Sequence, residues 1–111
     1  MAVKVFIKRN VPEGKEADLL NSILKLRTLA TRQSGYISGE TLRNVDNSNE
    51  YLVISTWQSI DDWDAWFTSD DRREIQKEIE RLLGNETEYT VYYYPEKGTT
   101  SLSGFRGWEG G

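Results

Sequence analysis

The chain switches between the two-residue period of a strand and the longer period of a helix. Over residues 2–9, apolar positions alternate with mostly charged ones, which predicts a strand with Val3, Val5 and Ile7 on its apolar side. A turn at 12–14 ends this strand, and helical periodicity then runs from residue 15 to about residue 32, before Gly35. The predicted apolar stripe of this helix comprises Leu19, Leu20, Ile23, Leu24, Leu26 and Ala30.

The next segment is typical of a β-hairpin. Two strands are predicted at 36–45 and 50–58, and the polar residues 46–49 form the turn between them. The second of these strands is rich in β-branched and aromatic residues and includes Trp57. A short loop of this kind predicts antiparallel pairing.

Two helical segments and a last strand follow the hairpin. Ser59 and Asp62 form a close variant of a capping box, and Ser69 can begin a second helix that ends at Gly84. The last strand is predicted at 86–94. The first of these two helices has Trp63, Trp66 and Phe67 on one face, and the second has Ile75, Ile79, Leu82 and Leu83 at helical spacing.

The element order is strand, helix, strand, strand, helix, strand. This order is that of the ferredoxin-like split βαβ fold of the α+β class, in which a four-stranded antiparallel sheet carries its helices on one face. We expect this domain to span 1–95. Residues 96–111 hold five of the nine glycines and are predicted to form a glycine-rich C-terminal tail, although Phe105 and Trp108 leave open whether part of it docks.

Both faces of the predicted sheet carry large apolar side chains. In the third strand, Leu52 and Ile54 lie on one side, whereas Val53 and Trp57 lie on the other. The helices cover only one face, so the other is expected to meet a partner. The simplest partner is a second copy, which predicts a homodimer joined through the sheet faces.

The composition excludes several classes of function. The chain has no histidine and no cysteine, which removes the usual nucleophile systems, zinc sites and haem ligand. The net charge is −4, and the chain has no basic stripe, so nucleic acid is not expected as a partner. No secretory signal or membrane span is expected, and we predict a cytoplasmic protein without metal or cofactor.

Several segments together form a recognisable pattern: Gly35 to Glu40, Tyr51 to Trp57, Trp63 to Trp66, Ser69 and Arg73. With this pattern the chain resembles the antibiotic biosynthesis monooxygenase (ABM) family of the dimeric α+β barrel superfamily. The resemblance implies a dimer with sheets packed face to face and a cavity in each subunit between sheet and helices. It also implies a cofactor-independent monooxygenase acting on a small aromatic or quinol substrate.

One branch of that superfamily degrades haem, and the resemblance to it is incomplete. Trp66 matches the tryptophan of that branch, but Gln76 stands where its histidine is expected. Ile7 lies near the position of its asparagine. Glutamine does not replace imidazole as a haem ligand, so haem degradation is disfavoured.

The candidate substrate-binding residues are aromatic or neutral and polar, with one arginine. An aromatic cavity can hold a flat ligand by stacking, and Gln76 and Arg43 can contact a phenol, carbonyl or enolate oxygen. Each of these side chains can instead serve packing or solvation alone. The candidates are Trp66, Gln76, Trp63, Trp57, Tyr36 and Arg43.

No spacing of carboxylates singles out an acid–base pair, so no catalytic residue is assigned. Two functions therefore remain open: the monooxygenase, and a non-catalytic small-molecule-binding or structural dimer module. They differ in whether polar groups converge in the cavity.

Overall fold

A computed structural model describes residues 1–95. The prediction for 96–111, with Phe105 and Trp108, lies outside this described part. The four strands are β1 (Val3–Asn10), β2 (Tyr36–Arg43), β3 (Glu50–Trp57) and β4 (Glu88–Tyr93), and the helices are α1 (Glu16–Ala30), α2 (Ile60–Phe67) and α3 (Asp70–Leu83).

The sheet has the order β2-β3-β1-β4, and each neighbouring pair is antiparallel. The predicted α+β class and strand–helix order are therefore confirmed, with strand ends that differ from the predicted ones by at most two residues. Across the sheet, Val5 pairs with Ser55 on one side and Val91 on the other, which places these three side chains on the same face.

The hydrophobic core lies between this sheet face and the helices. Its centre is Trp57, which is fully buried, and Leu19 and Ile79 contribute fully buried side chains from α1 and α3. The predicted stripe of α1 was too wide: Leu20 and Leu24 are 44% and 62% exposed. The sheet contacts the ridge that contains Leu19 and Ile23, and Leu20 and Leu24 lie about 100° further round the helix.

Both helices after the hairpin begin as the sequence predicts. The Ser59 hydroxyl accepts a hydrogen bond from the Asp62 amide at 3.1 Å and donates one to the Asp62 carboxylate at 2.9 Å. Ser69 caps α3 in the same way by accepting from the Arg72 amide. None of the helices in the described part is long and apolar enough to cross a membrane.

Gly35 joins α1 to the sheet at a close approach to α2. Its φ is +85°, and a Cβ at this position would collide with the carboxylate of Asp62. Gly84, which ends α3, has a similar φ of +73°, but nothing lies within 4 Å of where its Cβ would be. The two glycines thus share the same backbone requirement and differ in surrounding space.

We expect Gly35→Ala to lower the free energy of unfolding by about 2–4 kcal/mol, and Gly84→Ala by about 1 kcal/mol. Both variants strain the backbone, but only the first also displaces a side chain that caps α2. Urea unfolding of the two variants measures the difference. Equal losses would contradict the close contact between Gly35 and Asp62.

Candidate functional site

A cavity lies between the inner face of the sheet and the helices. Its lining residues come from all four strands and all three helices: Ile7, Arg9, Ile23, Leu26, Arg27, Ala30, Tyr36, Gly39, Val53, Ser55, Trp57, Trp63, Trp66, Arg72 and Tyr89. About 50 Å³ is open to water-sized molecules, within a wider gap of about 490 Å³ that includes the mouth. A buried water needs roughly 10–15 Å³, so about three to five waters would fill this space.

One wall of the cavity is a cluster of aromatic rings around Trp57. The Trp66 ring lies nearly parallel to it, at 25° and 6.2 Å between centroids, and the Trp63 ring meets it at a steeper angle at 6.0 Å. Tyr36 packs edge-on against Trp57 at 5.2 Å. The Trp57 indole nitrogen donates to the Ser55 hydroxyl at 3.2 Å, so the buried N–H has a partner. The result is a largely apolar, aromatic wall.

Arg72 brings a positive charge to the cavity from the start of α3. Its Nε donates to the carbonyl oxygen of Phe67 at 2.8 Å, and a terminal nitrogen donates to the Tyr89 hydroxyl at 2.9 Å. The guanidinium also lies over the Phe67 ring, 4.4 Å from its centroid. These contacts fix the guanidinium and the Tyr89 hydroxyl beside each other on the cavity lining.

Arg9 is a second buried arginine, on β1. It is 3% exposed, and a terminal nitrogen donates to the side-chain oxygen of Gln76 at 3.3 Å. Its Nε is buried and has no hydrogen-bond partner among residues 1–95. Burial lowers the pKa of Arg9; the charge of Arg72 lowers it further, whereas Tyr89 and Glu80 act in the opposite direction. The guanidinium nevertheless remains charged at neutral pH.

The lowered pKa has a defined consequence for stability. Because the folded pKa lies below the unfolded value, the charged guanidinium disfavours the folded state at every pH below that folded pKa. Stability linked to Arg9 would rise only as the pH passes upward through the folded pKa. Its burial therefore imposes a constant cost across the neutral range.

Gln76 holds Arg9 from behind the cavity. Its amide nitrogen donates to the Thr87 hydroxyl at 2.9 Å and to a Glu80 carboxylate oxygen at 3.2 Å, while its oxygen accepts from Arg9. The side chain is buried, but it is not part of the cavity lining. The amide nitrogen and the amide oxygen of Gln76 both have hydrogen-bond partners already, which indicates that Gln76 positions Arg9 rather than contacting a ligand.

Most of the partly exposed lining residues belong to α1 and β2, and this side is taken as the mouth of the cavity. Arg27 donates to the Thr41 hydroxyl at 2.9 Å, and Gly39 lies next to it. A Cβ at Gly39 would lie 2.6 Å from the Tyr36 hydroxyl oxygen, so the absence of a side chain there makes room for the Tyr36 ring. Small changes at these residues would alter the width of the entrance.

The structure brings together four of the six candidates predicted from the sequence. Trp57, Trp63, Trp66 and Tyr36 line the cavity, and Gln76 lies one contact behind it. Arg43 does not belong to this group. It is exposed, donates to the Ser48 carbonyl oxygen at 2.7 Å and lies 5.2 Å from the Tyr51 ring centroid.

Arg9, Arg72 and Tyr89 are lining residues that were not predicted from the sequence, although the sequence carries a signal for the first two. Alternation in β1 continues past Ile7 and places Arg9 on the buried face. In α3, the buried positions Ile79 and Leu83 extend backward at helical spacing to Gln76 and Arg72. An arginine in the apolar register of a strand or helix is a candidate for a buried cation.

The charged side chains that line the cavity are all positive. Within the described part of the chain, the lining includes Arg9, Arg27 and Arg72 but no aspartate or glutamate. Nor does any group of three or more His, Cys, Asp or Glu side chains in residues 1–95 stand ready to hold a metal ion. The arrangement is suited to stacking a planar ring and stabilising negative charge on it.

This fold defines a small α+β protein with an aromatic, cationic cavity between sheet and helices. Residues 2–78 match the model of the family described as antibiotic biosynthesis monooxygenase. The chain belongs to that family.

Individual relatives are more distant. Protein SchA from Streptomyces halstedii is 23% identical over 78 residues, which cover 70% of this chain and 20% of that protein. The chain thus spans about a fifth of the length of this curated relative.

Solved structures resemble most of the described fold. A conserved protein from Methanosarcina mazei Go1 is 23% identical, with a TM-score of 0.76 over 83% of this chain and 91% of that chain. SnoaB, a cofactor-independent oxygenase from Streptomyces nogalater, is 17% identical, with a TM-score of 0.74 over 88% of this chain and 97% of that chain. At these identities the likeness establishes the fold.

Proposed function

We propose that the protein is a cofactor-independent monooxygenase of a small, electron-rich aromatic or quinol substrate. The substrate binds in the cavity, with its ring against Trp66 and Trp57. The observation that carries the proposal is the pairing of Arg72 with the Tyr89 hydroxyl on an otherwise aromatic lining. Membership of the monooxygenase family and the likeness to SnoaB support it.

The chemistry needs a substrate that itself reduces dioxygen. In an anthrone, loss of a proton from the ring methylene gives an enolate, which transfers an electron to O₂. The resulting radicals combine into a carbon–peroxide bond. Cleavage of the O–O bond leaves one oxygen as the new carbonyl, and the other departs as water with the second methylene hydrogen. The anthrone supplies all the electrons, so no external reductant is consumed.

Arg72 would act on the first of these steps. A buried guanidinium next to the substrate oxygen stabilises the enolate relative to the neutral ketone, and the Tyr89 hydroxyl can donate a second hydrogen bond. The cavity lining in the described part contains neither carboxylate nor imidazole. The proposed enzyme therefore works by making the substrate more acidic, and water accepts the proton.

The size of the cavity constrains how the substrate enters. A space of about 50 Å³ is too small for fused rings, so side chains at the mouth must move apart. Leu26, Arg27 and Tyr36 are the partly exposed lining residues on that side. Tyr36 lies on β2, at the edge of the sheet, so an outward rotation of its ring would widen the cavity on that side.

Oxygen consumption tests the proposal. Purified protein is mixed with an anthrone or a naphthoquinol in air-saturated buffer, and the O₂ electrode trace is compared with the rate without protein. The expected result is accelerated uptake, equimolar quinone formation from the anthrone and incorporation of one labelled oxygen from ¹⁸O₂. Uptake equal to the uncatalysed rate across the panel would contradict the proposal.

One observation favours the second candidate, a non-catalytic binding module. The cavity lining in residues 1–95 has no aspartate, glutamate or histidine, the side chains that most often serve as a general base. A protein that binds the same aromatic ligands without accelerating their oxidation would fit this function. Binding and oxygen uptake measured on one preparation separate the two.

We further propose that two copies pair through the open sheet face, opposite the helices. This face carries large apolar side chains, including Tyr92 at 55% exposed and Leu42 at 44% exposed, beside Ile54. Phe6 and Tyr92 pack edge-on there at 4.9 Å. An apolar surface of this kind is costly in water and favours a partner, and the family resemblance supports a second copy.

Ile54→Arg should shift the protein from dimer to monomer at micromolar concentration, because it would place an unpaired charge in the interface. Leu24→Arg provides the control, since Leu24 is exposed on α1, on the opposite side of the sheet. Sedimentation velocity reports both. A monomeric wild type, or a dimer that tolerates arginine at position 54, would count against this interface.

A further inference from the structure

The feature that the proposed reaction leaves unused is Arg9. The reacting oxygen is assigned to Arg72 and Tyr89, yet a second guanidinium lines the same cavity and is almost completely buried. A buried cation is normally paired with an acid, because taking a charge out of water is costly. Arg9 instead donates to the neutral amide of Gln76, with the Tyr89 hydroxyl and the Glu80 carboxylate also close enough to act on its charge.

The hydrogen-bonding groups of Arg9 are only partly used. One terminal nitrogen donates to Gln76, and the buried Nε–H has no acceptor within residues 1–95. A buried donor without a partner is destabilising, and one that faces a cavity is commonly engaged by what occupies that cavity. The missing partner is an acceptor that can occupy the cavity.

The charge environment specifies what kind of acceptor this is. Arg72 and Arg27 also line the cavity, and no acidic side chain in the described part does. Repulsion between Arg9 and Arg72 is relieved by a negative group placed near both, whereas a neutral acceptor would leave it in place. Guanidinium groups bind carboxylates through two parallel hydrogen bonds, and the free Nε–H is one of the donors that such a pair uses.

The aromatic wall indicates what the uncharged part of the ligand looks like. Val53, Ile7 and Trp57 lie on the same sheet face as Arg9, so an anionic group at Arg9 would be joined to an apolar body along that face. Arg9 lies toward one end of β1, and Trp57 lies toward the end of β3 that pairs with the start of β1. A planar ring with an acidic substituent at one end matches this order.

We infer that the cavity binds aromatic compounds that carry a permanent carboxylate, and that Arg9 is the residue that recognises it. This inference rests on the proposed function only in taking the cavity as the substrate site. It names the substrate class: an aromatic acid rather than a neutral quinol. Gln76, which accepts from one terminal nitrogen of Arg9, is the positioning residue for this contact.

Binding of a naphthoate and of the corresponding naphthamide tests the inference. The two probes have the same ring and nearly the same shape, and neither is oxidised under these conditions. Isothermal titration calorimetry should give an affinity at least about tenfold higher for the acid, as expected for one charge-assisted pair. Equal affinities, or no binding of either probe, would overturn the inference.

Variants assign the preference to Arg9. Arg9→Met should bind both probes equally, whereas Arg43→Met, which removes an exposed arginine from the same sheet, should keep the preference of the wild type. The melting temperature of ligand-free Arg9→Met should not fall by much, because the variant also removes a buried charge. A preference for the acid that survives Arg9→Met would show that another residue recognises it.

A third variant covers the case in which Arg9→Met fails to fold. Arg9→Lys keeps the charge but lacks the planar donor set, so it should fold and retain a reduced preference for the acid. An undiminished preference would exclude recognition through the paired hydrogen bonds of the Arg9 guanidinium.

The proposed function and this inference can fail separately. Acid-selective binding without oxygen uptake would support the inference and contradict the oxygenase. Oxygen uptake with neutral quinols, together with equal binding of acid and amide, would support the oxygenase and contradict the inference.

Discussion

Trp66→Ala should lower the free energy of unfolding by about 3–5 kcal/mol, a large fraction of the stability of a domain of this size. The side chain is 5% exposed and stacks on the fully buried Trp57. Truncation would leave a void beside an existing cavity, which neighbouring rings cannot close without losing their own contacts. Guanidinium unfolding measures the loss. A loss below about 1 kcal/mol would show that the site collapses on truncation or that Trp66 packs loosely.

Because Trp66→Ala changes stability so strongly, lost binding in that variant would not identify a ligand contact. Trp66→Phe is the informative change, since it keeps most of the volume and should cost only about 1–2 kcal/mol. Ile79→Val is its control, with a cost of about 0.5–1.5 kcal/mol at a fully buried residue that does not line the cavity. Weaker aromatic binding in the first variant alone assigns Trp66 to the site. Equal binding in both would make Trp66 a core residue only.

The fold could be predicted from the sequence because its signals are local. Alternation marks β1, and the two serine caps and Gly84 mark the ends of α2 and α3. The width of the α1 stripe could not be predicted, since Leu20 and Leu24 are as apolar as their buried neighbours. Which apolar ridge is buried depends on how the helix lies across the sheet, and that is a tertiary property.

The tryptophans of the candidate site could be predicted from the sequence, whereas its buried arginines were not predicted. Tryptophans are rare and large, so Trp57, Trp63 and Trp66 stand out individually in the sequence, and all three line one cavity. Arginines are normally exposed, so residue type alone predicts solvated side chains at Arg9 and Arg72, and only their register indicates burial. Tyr89 had no distinguishing signal, because its role depends on the distance from its hydroxyl to Arg72.

The contrast between Arg43 and Arg9 shows that strand parity alone does not determine whether a side chain is buried. Both arginines lie on the helix-facing side of the sheet by strand parity, opposite the same residue of β3, Tyr51. Arg9 is in the central strand β1 and under α3, whereas Arg43 ends the edge strand β2 and reaches the turn at Ser48. Parity indicates the face of the sheet, but burial depends on the strand order, which the hairpin alone does not determine.

Arg72→Met should lower kcat for oxidation of an anthrone by about 10²–10³-fold, the usual effect of removing one buried group that stabilises a developing oxyanion. The substrate must lose a proton before it reacts with O₂, and the guanidinium lowers the pKa of that proton by favouring the anion. Without Arg72, the pKa of the bound substrate returns toward its value in water. At neutral pH the reactive fraction then falls about tenfold for each unit of that rise.

The dependence of rate on pH distinguishes this role from a structural one. In the wild type, kcat should rise with pH and level off above the lowered pKa of the bound substrate; in Arg72→Met the same curve should shift to higher pH. Arg73→Met is the matched control, since Arg73 is the exposed neighbour on the same helix. It should leave both kcat and the pH curve unchanged. A variant at position 72 that loses rate equally at every pH, with a lowered melting temperature, would show that Arg72 only anchors Phe67 and Tyr89.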